Sequence, residues 1–108
     1  MTALHKLPLT DDARFDTDVA SAPTVLVAFS GSWCPPCRVL EPTRAKLAAD
    51  RPDVKVLEID VDDNQVAAQR LLVRSVPTLF LFRHGKIVGQ LVGNQPRAKL
   101  DDWLARVR

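Results

Sequence analysis

The stretch Phe29–Pro42, FSGSWCPPCRVLEP, holds both cysteines of the chain. Pro35 and Pro36 separate Cys34 from Cys37, and Trp33 stands directly in front. Upstream, TVLVAF (Thr24–Phe29) is a continuous apolar run of β-formers, which predicts a strand buried on both faces. Downstream, Pro35 to about Asp50 reads as a helix, with Val39, Leu40 and Leu47 at core spacing. Cys34 therefore closes a strand-to-helix segment, and Cys37 follows about one turn later. Side chains at that spacing share a helical face, with β-carbons ~5–6 Å apart. A disulfide requires them at about 3.5–4.5 Å. A small tightening of the first turn closes the bond, and relaxing it suits the dithiol.

The prolines fit the same reading. With Cys34 as N-cap, they occupy positions whose amides have no intrahelical partner. Pro36 has no N–H, so the Cys37 N–H is the one conventional capping donor left for the Cys34 sulfur. The helix N-terminus favours a thiolate at that place. The Pro-Pro pair stiffens the loop and limits reorganisation between the two redox states.

Outward from this centre, DVKVLEIDV (Asp53–Val61) predicts a second strand, and Asp62 or Asp63 caps a short helix through Leu72. TLFLF (Thr78–Phe82) predicts a third buried strand. Arg83, His84 and Gly85 turn the chain, and KIVGQLV (Lys86–Val92) returns as a hairpin partner. Pro96 suits the first turn of a last helix whose Leu100, Trp103, Leu104 and Val107 share one face. At the start, Leu4–Leu7 reads as a short edge strand, and Thr10 caps a helix running through Asp11–Val19. The order β-α-β-α-β-α-β-β-α predicts an α/β fold. Its sheet is mixed but mostly parallel, with about five strands, helices on both faces and a closing antiparallel hairpin.

A chain of 108 residues fits one domain, residues 1–108. The net charge of +2 comes from scattered, interleaved charges, not the clustered basic face of a nucleic-acid binder. The N-terminal MTALHKLPLTDDARF carries no apolar run of signal-peptide length, and Val25–Phe29 is too short to cross a bilayer. The expectation is a cytoplasmic protein, with neither a membrane nor a nucleic-acid partner. In that compartment a lone cysteine pair is more often catalytic or metal-binding than a structural staple. A zinc site takes four ligands. Only His5 and His84 accompany the cysteines, neither at motif spacing, so no metal is assigned. Inert buried thiols remain the other alternative. Trp33 reads either as a core aromatic or as a partly exposed platform that shields the sulfurs and meets a partner.

WCPPC, the strand before it, SVPT (Ser75–Thr78) and VGN (Val92–Asn94) together resemble a thioredoxin, and the resemblance spans nearly the whole chain. It implies a thioredoxin fold and a thiol-disulfide oxidoreductase, most simply a general protein-disulfide reductase. Cys34 would be the exposed nucleophile and Cys37 the more buried resolving thiol. Val76 and Pro77 would supply a cis-proline substrate surface, with Gly93 beside the substrate groove. Trp33, Pro35 and Pro36 would form the active-site loop. The resemblance implies no bound cofactor beyond the Cys34–Cys37 redox pair. Electrons would come from NADPH through a partner reductase and go to disulfide-containing client proteins, and the protein would be a monomer. From the residues alone, Pro77 reads as an ordinary strand-start proline, and Gly93 reads equally well as a strand-end turn glycine. A specialised thiol reductase, an oxidase or isomerase, and a non-enzymatic adaptor on the same fold are the alternatives.

Three positions depart from the family pattern. Pro35-Pro36 replaces the usual Gly-Pro, as in tryparedoxins, nucleoredoxins and some reductases of cytochrome maturation. Ser30 stands where many relatives have tryptophan. Ala28 stands at the place of a buried aspartate, and Val56 is aligned with its lysine partner. The expectation is loss of the buried ion pair, slower resolution and a more stable fold. Glu58 is a candidate substitute base, against the plainer reading of a solvated acid at a strand end.

Overall fold

The computed structural model describes residues 7–107. They form α1 (Phe15–Val19), β1 (Thr24–Ser30), α2 (Pro35–Asp50), β2 (Lys55–Asp60), α3 (Gln65–Arg70), β3 (Thr78–Arg83), β4 (Lys86–Val92) and α4 (Arg97–Arg106). Among the described residues the sheet has four strands in the order β2-β1-β3-β4. β1 pairs parallel with β2 and antiparallel with β3, and β3 pairs antiparallel with β4. The sheet is thus mixed, as expected, but only one of these three ladders is parallel. The chain after α3 re-enters beside β1 running the other way. Most of the expected edge strand at Leu4–Leu7 lies outside the described residues. Leu9 makes a parallel bridge to Glu58, so the Pro8–Thr10 segment lies along the outer edge of β2 through backbone bonds at Glu58.

The strand signals hold because strand and core agree. β1 is buried along nearly its full length, as an apolar strand packed on both faces must be. One face carries Leu26, Ala28, Val56, Leu79 and Leu81, packed against Leu47 of α2 and Leu100, Trp103 and Leu104 of α4. The other carries Val25, Val27, Phe29, Leu57, Ile59 and Phe80, packed against Phe15 of α1 and Ala67 and Ala68 of α3. Phe15 meets Phe29 and Phe82 at 5.9 and 5.8 Å between ring centroids. Each such pair adds about 0.5–1.5 kcal/mol beyond area burial. The hairpin turns on His84 and Gly85, both at positive φ (52° and 81°), the conformation of a two-residue turn matched to strand twist.

Helix starts are where local signals mislead. Thr10 does not cap α1: its hydroxyl donates to Asp18 at 2.6 Å, Asp11 accepts from the Arg14 N–H, and the helix begins only at Phe15. Neither Asp62 nor Asp63 caps α3. Its Val66 and Ala67 N–H groups bond to the carboxylate of Asp12 at 3.1 and 2.8 Å. The cap comes from a residue more than fifty positions away and ties the N-terminal segment to α3. Pro96 is the N-cap of α4, not a residue of its first turn.

Candidate active site

β1 delivers the chain at Ser30 to the edge of the core, and four residues later α2 begins with Cys34 as N-cap and Pro35 and Pro36 in its first positions. The Cys37 N–H donates to the Cys34 sulfur at 3.2 Å, the bond that the absent proline N–H predicts. Cys34 and Cys37 are joined in a disulfide with Cα atoms 5.3 Å apart, inside the usual range for the bond. Arg38, one residue on, sends its guanidinium back to the Ser32 carbonyl at 2.9 and 2.6 Å. That fork braces the loop in front of the cysteines.

Trp33 is 62% exposed, so it is not a core aromatic. Gly31 lies directly beneath its ring: a Cβ there would come within 2.9 Å of the indole, and only glycine allows that approach. Val76–Pro77 is a cis peptide, and the Val76 carbonyl oxygen lies 3.8 Å from Cys34 Sγ. In the disulfide this is a contact, since the sulfur has no proton to donate. Trp33 and Val76 line a shallow apolar groove of about 120 Å³ with Val61, Val73 and Arg74. Gly93 has a φ of +91° and donates its N–H to the Pro77 carbonyl at 2.9 Å. The expected residues Trp33, Cys34, Cys37, Val76, Pro77 and Gly93 therefore assemble at one end of the sheet. Cys34 is not the exposed member of the pair: the two cysteines are 2% and 3% exposed, and in the disulfide the loop covers both.

The ground behind Cys37 differs from expectation. Val39 is largely exposed and Leu40 only half-buried, whereas Arg44 is buried in the helix face next to Leu47. Strand register pairs Ala28 with Glu58, and Val56 with Leu26, so the residue beside Ala28 is an acid and not Val56. Glu58 is no solvated strand-end acid. Its Oε1 accepts from Arg44 Nη2 at 3.1 Å and its Oε2 accepts from the Ser30 hydroxyl at 3.0 Å. The side chains of Arg44 and Glu58 are only 2% and 10% exposed. The same Arg44 Nη2 donates to the Cys37 carbonyl at 3.2 Å. Ala28 and Val56 are buried apolar residues, so the family's pair is absent at those positions, but the strand neighbour of Ala28 supplies a different buried ion pair, made of Glu58 and Arg44. Arg44 lies seven residues after Cys37, the same face two turns on, and that spacing was the signal available in the sequence. An open cavity of about 380 Å³ is lined by Cys37, Ser30, Glu58, Glu41, Asp60 and Leu9, among others.

With this geometry in hand, the thioredoxin family model matches residues 6–106. The chain belongs to the thioredoxin family. It is 38% identical over 97 residues to a thioredoxin of Alicyclobacillus acidocaldarius, covering 89% of this chain and 92% of that one. It is 40% identical over 94 residues to a thioredoxin of Staphylococcus aureus, covering 86% and 89%. A mutant thioredoxin from Halobacterium salinarum superposes with a TM-score of 0.84 at 34% identity, over 100% of this chain and 96% of that one. Oxidised mitochondrial thioredoxin 3 of Saccharomyces cerevisiae shares the fold, with a TM-score of 0.86 over 96% and 99% of the chains at 24% identity. This thioredoxin-family protein is a thiol-disulfide oxidoreductase of the protein-disulfide reductase type, with its CxxC pair at disulfide distance. Among the described residues no helix is long and apolar enough to cross a membrane.

Proposed function

We propose that the protein is a general cytoplasmic reductant of protein disulfides, acting as a single-domain monomer without a bound cofactor. In the dithiol form the Cys34 thiolate attacks a client disulfide. The Cys34 sulfur bonds to one client sulfur, the client S–S bond breaks, and the other client sulfur leaves as a thiolate. Cys37, deprotonated, then attacks the Cys34 sulfur, closes the disulfide and expels the second client thiolate. Two electrons pass to the client. A thioredoxin-reductase-like partner drawing on NADPH restores the dithiol.

The observation that carries this reading is the placement of the Cys34–Cys37 disulfide at a helix N-terminus, against the Val76 carbonyl. The helix terminus stabilises the Cys34 thiolate, and the thiolate is the attacking species. The groove between Trp33 and Val76 gives an extended client segment an apolar seat beside the sulfurs; Pro77 follows Val76 in the chain, and its carbonyl accepts from the Gly93 N–H.

Insulin reduction fed by NADPH and a bacterial thioredoxin reductase, beside a redox titration against glutathione, tests the reading. Steady turnover with a potential near the ~−270 mV of reducing thioredoxins supports it. Failure to turn over, with a potential near that of disulfide oxidants, overturns it in favour of an oxidase.

A further inference from the structure

We infer that Glu58, oriented by Arg44 and Ser30, is the proton acceptor for the Cys37 thiol, a role that rests on the disulfide-exchange reading above. When Cys37 closes the disulfide its proton must leave, yet Cys37 is buried. A buried thiol is harder to ionise than a free one. Glu58 is the acid on the strand beside Ala28, and it shares one cavity with Cys37. Ser30 and Arg44 each hold one of its oxygens. Arg44 also holds the Cys37 carbonyl, so one guanidinium sets the acid and the thiol-bearing turn relative to each other. The open cavity of about 380 Å³, whose lining includes Ser30 and several carboxylates, has room for bridging water.

The step balances. The Cys37 S–H bond breaks, its proton passes through cavity water to the Glu58 carboxylate, and the sulfur attacks Cys34. The client leaves as a thiolate, and the proton then exits to solvent or to that thiolate. The charged groups that line the cavity with Glu58 are Arg38 and Glu41 of α2, Asp60 at the end of β2, and Asp63 of the following loop; Arg44 reaches Glu58 from outside that lining. The three carboxylates raise the negative potential around the acceptor, and the two guanidiniums oppose them.

The test uses reduced protein in excess over a chromogenic bis(nitrobenzoate) disulfide. Its first thiolate reports attack by Cys34 and its second reports resolution by Cys37. An aromatic thiolate is too weak a base to take the Cys37 proton, so the acceptor must be protein or water. Glu58→Gln should leave the first release unchanged and slow the second by about 100-fold or more at pH ~7. The defect should fade toward pH ~9, where thiols ionise unaided. Glu58→Asp, which restores a carboxylate, should regain part of the rate. A second release within about twofold of the parent, equal slowing at both pH values, or no recovery in Glu58→Asp overturns the inference. If Glu58→Gln does not fold, the Arg44→Met/Glu58→Gln pair, which buries no charge, carries the same expectation. Should the parent release both thiolates at rates the variants share, this inference alone falls. Should the parent release neither, the disulfide-exchange reading falls with it.

Discussion

Replacing Arg44 by methionine keeps most of the side-chain volume and deletes the charge that faces Glu58. The carboxylate would then sit 10% exposed, with the Ser30 hydroxyl as its remaining neutral donor. Breaking a buried pair from one side costs about 3–5 kcal/mol. Protonation sets a ceiling on that loss. A glutamate in the unfolded chain ionises near pH ~4.3, so delivering it neutral to the folded core at pH ~7 costs about 3.7 kcal/mol. The expected loss is therefore roughly 3–4 kcal/mol, on the order of 15 °C in Tm for a domain of this size. The folded variant retains a proton that the unfolded chain has lost, so its deficit grows as pH rises and shrinks to about 1 kcal/mol near pH ~5. Adding Glu58→Gln removes the stranded charge and should bring stability back to within about 1 kcal/mol of the parent. Urea unfolding of the oxidised forms, followed by circular dichroism at both pH values, measures each quantity. A single variant within about 1 kcal/mol of the parent at pH ~7, or a double variant as weak as the single, would refute the argument that the pair is an electrostatic unit.

Asp12→Ala removes both capping acceptors of α3 and should cost about 1–2 kcal/mol, read by thermal unfolding, with amide exchange at Val66 and Ala67 rising first. Gly93→Ala places no atom against a neighbour, yet its φ of +91° makes a side chain there cost about 1–2 kcal/mol. Insulin reduction should fall more than reduction of a small disulfide. The Asp50 carboxyl is held below the usual carboxylate range by its hydrogen bonds to Lys46 and Arg97. It stabilises the fold above the unfolded carboxylate range, and that contribution is lost as pH falls through the depressed value. Arg97→Gln should raise the Asp50 midpoint in an NMR titration, and an unmoved midpoint would show that Arg97 does not contribute. Cys37→Ser should accumulate a mixed disulfide between Cys34 and the client, visible by mass spectrometry, whereas Cys34→Ser should form none.

The elements read from periodicity survive where burial and local pattern coincide. TVLVAF and TLFLF are clear because they are apolar strands packed on two faces, and the start of α2 is clear because Pro35 and Pro36 suit only its first positions. Thr10, Asp62 and Asp63 mislead because a helix accepts whichever oxygen reaches its free N–H groups, and at α3 that oxygen belongs to Asp12. Val39 misleads for a related reason: the face α2 turns inward is set by the sheet it packs on, and that face carries Arg44.

What the sequence determined by itself is the redox centre: two thiols one turn apart, a proline that leaves a single capping N–H, and the strand that feeds them. Those relations span a few residues and follow from backbone geometry. What only the tertiary structure decided is how charge is arranged behind Cys37. Glu58 and Arg44 lie on different elements, fourteen residues apart, and an acid on a strand reads as solvated until the neighbouring strand and helix close over it. A buried charge is tolerable only with its partner, and partnership across elements is a property of packing.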